Sequence, residues 1–216
     1  MKSFTAIDGH QFSAYQSDPK DSPQGLVIII QEIFGVTDHL CEVADKLAES
    51  GYRAVVPVFF DRLDPGIRLI YEDVETGRGY CMQLKSEQVL LDIAAVTQSN
   101  PDLKAAVLGF CWGGTLAYQA ACELKLSAGI AYYGTRIHQH LEHTPICPFL
   151  FHFGARDHLV SAEAIEQIRQ VNPQSPIFIY NEAGHAFSCE PRTSYHEESA
   201  ALAWSRTLDF LSEHLV

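Results

Sequence analysis

The chain has 216 residues, 47% of them hydrophobic, enough to bury a substantial core within one domain spanning residues 1–216. Its formal net charge of -12 argues against a nucleic-acid partner, which needs a basic face. The same charge repels small anions at long range, so an anionic substrate requires an arginine or lysine inside its pocket.

The segment Phe4–Tyr15 reads as a hairpin pivoting on Asp8-Gly9. Leu26–Ile30 is an unalternating β-branched run, as in a strand buried on both faces, and it ends in Gln31-Glu32-Ile33-Phe34-Gly35. Leu40, Val43, Ala44, Leu47 and Ala48 recur at helical spacing between His39 and Ser50, and Gly51 closes that helix. Tyr52–Val58 is another strand. Phe60–Tyr80 contains the turn signal Asp64-Pro65-Gly66 and mixed polarity, so it reads as a loop leading into a helix. Val89–Gln98 is an amphipathic helix ended by Asn100-Pro101. Ala105–Leu108 is a strand and Thr115–Ala121 a helix. Ala128–Tyr133 and Pro148–Phe153 are strands, Ala162–Gln170 a helix, Pro176–Tyr180 a strand and Ser199–His214 a closing helix. Strands alternating with helices imply an α/β domain, a mostly parallel central sheet covered by helices on both faces.

Six cysteines without framework spacing, and no C-x-x-C pair, read as free thiols in a reducing compartment. The N-terminus has no apolar signal region, and no apolar run approaches a membrane span; the expectation is a cytoplasmic protein with no membrane partner. His138-Gln139-His140-Leu141-Glu142-His143 matches no zinc spacing and reads as a polar loop, so no metal is expected.

Gly109-Phe110-Cys111-Trp112-Gly113-Gly114 sits between a strand and a helix. It has the form of the nucleophile elbow G-x-S-x-G with cysteine as the nucleophile. Read by itself, this is equally a buried thiol in an ordinary strand-to-helix turn. Two further strand ends carry residues of the complementary types: Asp157 in Gly154-Ala155-Arg156-Asp157, and His185 in Glu182-Ala183-Gly184-His185. The order nucleophile, acid, histidine is that of the α/β-hydrolase triad, and these loops lie at carboxyl ends of strands, where open α/β sheets handle ligands. A thiol with an ordinary pKa near 8.5 needs a partner to withdraw its proton near neutrality. His185 supplies the base and Asp157 fixes its tautomer. Elbow geometry makes the Trp112 N–H one oxyanion donor, and the Ile33 N–H, in the loop after Leu26–Ile30, is the best candidate for the other. Because thiolate leaves more readily than amine, the arrangement favours esters and enol lactones over amides.

With these residues in view, the chain resembles the dienelactone hydrolase (carboxymethylenebutenolidase) family, through Gln31–Gly35, Gly109–Gly114, Ala131-Tyr132-Tyr133-Gly134, Gly154–Asp157 and Gly184-His185-Ala186-Phe187. The resemblance implies an α/β-hydrolase fold and hydrolysis of an enol lactone such as carboxymethylenebutenolide to maleylacetate, within aromatic-compound breakdown, with no cofactor. It implies that Glu32 pairs with the resting thiol and takes its proton when substrate binds. It also implies two arginines for the substrate carboxylate. Arg78 is the nearest match to one; the place of the other, four residues after the histidine, holds Cys189, with Arg192 three residues further. The expected partner is a small lactone or ester, possibly anionic, and the expected state a monomer or weak homo-oligomer. A thioesterase or acyltransferase, or a slow-turnover binding protein on the same fold, remains open from the residues themselves.

Overall fold

The computed structural model describes residues 1–216. Its hairpin β1 (Lys2–Thr5) and β2 (Gln11–Ser17) turns at Gly9, whose φ of 87° suits glycine. β2 pairs antiparallel with β4 (Arg53–Pro57). All later pairings are parallel, through β3 (Leu26–Ile30), β5 (Ala105–Phe110), β6 (Ala128–Tyr132), β7 (Phe149–Gly154) and β8 (Ile177–Tyr180). The strand order β1-β2-β4-β3-β5-β6-β7-β8 makes one eight-stranded, mostly parallel sheet.

This order matters for the site. From β3 the chain crosses outward to β4, then returns to lay β5 on the other side of β3. The reversal creates a switch point between β3 and β5, where the loops at their carboxyl ends diverge and leave a crevice. Those loops carry Glu32 and Cys111.

The helices cover the sheet in two sets. α3 (Ser86–Gln98), α4 (Trp112–Glu123) and α5 (Ala162–Val171) pack with Ile28, Ile30 and Val107 on one face. α1 (Asp38–Glu49) and α6 (Glu197–Leu215) pack with Val27, Ile29, Leu108 and Phe110 on the other. Alternate residues of β3 and β5 serve opposite cores, which is why both strands read as unbroken apolar runs. Each large aliphatic side chain so buried contributes on the order of 1.5–3 kcal/mol.

The segment 60–80 has more structure than its mixed polarity implies. A 3-10 turn (Phe59–Arg62) comes first because Phe59 and Phe60 are both fully buried. The helix that follows, α2 (Val74–Gln83), runs past Tyr80. Arg62, almost wholly buried, is neutralised by Asp92 of α3 at 2.7 Å and Asp8 of the hairpin at 2.9 Å. Two further polar ties fix α6. The hydroxyls of Thr207 and Tyr132 share a hydrogen bond of 2.7 Å, and Thr207 Oγ1 lies 3.2 Å from His152 Nε2. Burial pushes the pKa of His152 down to about 3, so it packs as a neutral ring. No helix is long and apolar enough to cross a membrane.

Candidate active site

β5 delivers Cys111 into a turn that only glycine neighbours permit. Cys111 has φ 56° and ψ -117°, an unfavourable backbone for a residue with a Cβ. Three hydrogen bonds hold it there. Its N–H donates to the Tyr132 carbonyl at 3.0 Å, and its own carbonyl accepts from Gly114 at 3.1 Å and Thr135 at 3.3 Å. A Cβ on Gly109 would collide with the Gly113 carbonyl, and one on Gly113 with the backbone oxygens of Ile30 and Gln31. One on Gly114 would come within 2.8 Å of the Gly134 Cα. Glycine at 109, 113 and 114 thus lets β5, β3 and α4 converge on a half-buried thiol.

Asp157 and His185 arrive from the ends of β7 and β8. The Asp157 side chain is fully buried; Oδ2 lies 2.8 Å from His185 Nδ1, and Oδ1 accepts from the Leu159 N–H at 2.8 Å. Capping of α5 falls to Ser161, whose hydroxyl accepts from Ala164, so Asp157 is not needed as a helix cap. His185 stands edge-on to the Tyr133 ring at 5.0 Å, and its Nε2 is buried without a hydrogen-bond partner. Burial opposes protonation of this imidazole, but the hydrogen bond to Asp157 and the charges of Cys111 and Asp157 outweigh it and push its pKa up to about 10.

Glu32 is 3% exposed, so this strand-end carboxylate is not solvated. Burial raises its pKa above the usual carboxylate range; the charges of His185 and Arg192 and the Tyr133 hydroxyl act in the opposite direction. Glu32 opens a tight turn closed by Gly35 at φ 78°, with Ile33 as its second residue. A Cβ on Gly77 of α2 would strike the Ile33 carbonyl, so α2 lies directly against this turn. Trp112 begins α4, where the first backbone N–H groups have no partner within the helix.

The two arginines are placed differently. Arg192 is half-buried, its guanidinium over the rings of Phe34 at 5.4 Å and Tyr71 at 5.2 Å. Cys189 is buried and donates from its thiol to the Tyr71 hydroxyl at 3.3 Å; burial pushes this thiol up to about 12, so it packs in neutral form. Arg78, by contrast, is half exposed on α2 and paired with Glu75 at 2.8 Å, and no hydrogen bond or ion pair joins it to the other residues. Tyr71 carried no sequence signal, because its irregular loop has no periodicity. Tyr133 takes a left-handed φ of 41°, and its hydroxyl shares a hydrogen bond with Ser188 at 3.0 Å. Only the adjoining Gly134 hinted at that turn. No group of three or more His, Cys, Asp or Glu side chains is arranged to hold a metal ion.

Comparison with known proteins adds to this geometry. Residues 12–215 match the model of the dienelactone hydrolase family. The carboxymethylenebutenolidase of Pseudomonas putida is 34% identical over 224 residues, covering 97% of this chain and 94% of that protein. The enzyme of the same name from Pseudomonas knackmussii has the same identity and coverage. Among solved structures, a Klebsiella pneumoniae protein provisionally described as a dienelactone hydrolase superposes with a TM-score of 0.85 at 30% identity, covering 97% of both chains.

Proposed function

This chain belongs to the dienelactone hydrolase family and is a hydrolase of lactone or ester bonds; from that premise we propose that Cys111 is its nucleophile, acting with His185 and Asp157 through an acyl-cysteine intermediate. The observation carrying the reading is the 2.8 Å contact between His185 Nδ1 and the buried Asp157 carboxylate, with the same imidazole against the Tyr133 ring, next to the Tyr132 carbonyl that accepts from the Cys111 N–H.

The residues divide the work as follows. Asp157 favours the imidazolium form of His185, which makes this ring a poor acceptor for the thiol proton. Glu32, with its raised proton affinity, accepts the thiol proton, and the thiolate is stabilised beside His185. The thiolate attacks the acyl carbon while the N–H groups of Ile33 and Trp112 receive the oxyanion. Collapse breaks the C–O bond, and His185 protonates the departing enolate or alkoxide. Now neutral, His185 takes a proton from water, and the hydroxide attacks the acyl-cysteine. Loss of thiolate then frees the acid, and Glu32 returns the proton to sulfur. The net change is one lactone or ester plus one water giving acid and alcohol or enol, which for a lactone are one molecule.

For substrate class, the Pseudomonas relatives' name supports an enol lactone bearing a carboxylate, and Arg192 is the cation suited to hold it. The test is a hydrolysis panel of carboxylated enol lactones and neutral aryl esters. The native protein should turn over both. Arg192→Ala should raise KM for the carboxylated substrates by roughly 10- to 100-fold, the loss of one charge-assisted contact, and leave neutral esters within about threefold. Equal losses on both classes would refute the role of Arg192; turnover of neither class by the native protein would refute the reading as a whole.

A further inference from the structure

A second cavity, of about 370 Å³, lies between α1 and α6 on the side of the sheet away from α4. Its size is that of a small-molecule site. Phe110, the residue before Cys111, lines it, as do Tyr132 and Trp204. None of its lining residues is one of those assigned above to Cys111 chemistry.

The cavity has a carboxylate-bearing end and an end where Trp204 stands with Lys46. α1 leaves the carboxyl edge of the sheet after β3. α6 ends at the opposite edge, where Leu215 packs against Gly25 and the Val216 carbonyl accepts from Lys104. Both helices therefore begin at the same edge. His39 and Glu197 open their helices there, with Glu190 and the hydroxyls of Ser188 and Tyr195 beside them. Lys46 and Trp204 lie seven residues further along α1 and α6, roughly 10 Å away.

The carboxylate-bearing end is rich in acceptors. His39 is 6% exposed, and its Nε2 has no hydrogen-bond partner. Burial, assisted by Lys46, pushes its pKa down to about 4, so at neutral pH it is an uncharged imidazole able to accept. Glu190 and Glu197 add two carboxylates, while the one cation, Lys46, stands at the far end. A ligand with a ring-sized apolar body and a donor-rich cationic head matches both ends: the body against Phe110, Tyr132 and Trp204, the head toward His39 and the carboxylates.

We propose that this cavity binds a small aromatic ammonium compound, separately from the ester substrate. The segment after His185 is a wall common to both places. Ser188, Glu190 and Tyr195 face the cavity, whereas Cys189 and Arg192 contact Tyr71 on the Glu32 side. Ser188 also shares its hydrogen bond with Tyr133, the ring beside His185. An occupant of the cavity therefore adjoins the catalytic loop without entering the crevice.

Calorimetric titration with 2-phenylethylammonium, 2-phenylethanol and 3-phenylpropanoate, together with inhibition kinetics on a neutral ester, tests this. The ammonium compound should bind at least tenfold more tightly than either the alcohol or the carboxylate. The double variant Glu190→Gln/Glu197→Gln, folded by circular dichroism, should lose at least tenfold of that affinity. The ester should not compete with the ammonium compound. Absence of ammonium binding, equal binding of the three probes, unchanged affinity in the double variant, or strict competition with the ester would each overturn the proposal. The titration reads binding without turnover, so its outcome is separate from that of the Cys111 mechanism.

Discussion

Asp157→Asn removes a charge and very little else. The amide keeps the volume of the carboxylate, and its oxygen still accepts from Leu159, whose N–H lies 2.8 Å from Oδ1 in the native protein. What it loses is the negative charge 2.8 Å from His185 Nδ1. The pKa of His185 rises from 6.5 to about 10 despite burial, a net preference for imidazolium of about 5 kcal/mol at ~1.4 kcal/mol per pH unit. Asp157 and Cys111 supply it together against the cost of burial, so removing the Asp157 charge should cost on the order of a few kcal/mol of that preference. The asparagine amide also donates toward Nδ1 and favours the wrong tautomer, so kcat should fall by roughly 10²- to 10⁴-fold. Stability carries its own signature. Because the folded pKa lies above the unfolded one, the contribution from His185 is complete below about pH 6.5 and declines as pH rises toward 10. Urea unfolding of both proteins between pH 6 and 9.5 should show the native protein more stable at the acid end, with the gap narrowing as pH increases. A gap that widens with pH, or a kcat within threefold of native, would refute this assignment of His185 and Asp157.

Glu32→Gln removes the group that takes the thiol proton, so ester turnover should drop at least tenfold and iodoacetamide should alkylate Cys111 more slowly; native turnover or faster alkylation would contradict that role. The elbow glycines should be far less tolerant than a glycine in open space. Gly113→Ala drives a Cβ into the carbonyls of Ile30 and Gln31, and should cost at least about 3 kcal/mol in thermal or urea unfolding or prevent folding. Gly79→Ala, with nothing within 4 Å in α2, should leave stability unchanged or raise it by up to about 1 kcal/mol. Similar losses for both would mean that crowding at the elbow is not the reason for its glycines.

What the sequence disclosed depended on how locally each feature is determined. Leu26–Ile30 was legible to the residue because a strand buried on both faces needs an unbroken β-branched run. The elbow was legible because close approach of β5, β3 and α4 needs glycine at fixed offsets from Cys111. Arg192 and Arg78 were not, because the direction of a long side chain is a tertiary property. Phe34 and Tyr71 lie more than a hundred residues before Arg192 in the chain and hold it by contacts no spacing reveals. The rotation of α2, fixed by the approach of Gly77 to the Ile33 carbonyl, leaves Arg78 pairing with Glu75 in solvent. Tyr71 itself sits where composition gave only a loop, and the helix after it began at Val74, past Asp73, whose carboxylate accepts from the Ile70 N–H rather than capping the helix. Burial of Glu32 was not legible for a related reason. A carboxylate at a strand end is ordinarily solvated, and packed loops bearing Tyr133, His185 and Arg192 stand around this one.

The nucleophile itself is open to direct measurement. Brief reaction with an activated aryl ester, acid quench and peptide mass spectrometry should find the acyl group on Cys111 and on none of the other five cysteines. His185→Ala should greatly reduce its formation. Continued turnover with Cys111 unmodified, or an acyl group confined to another residue, would contradict a thiol mechanism at the elbow.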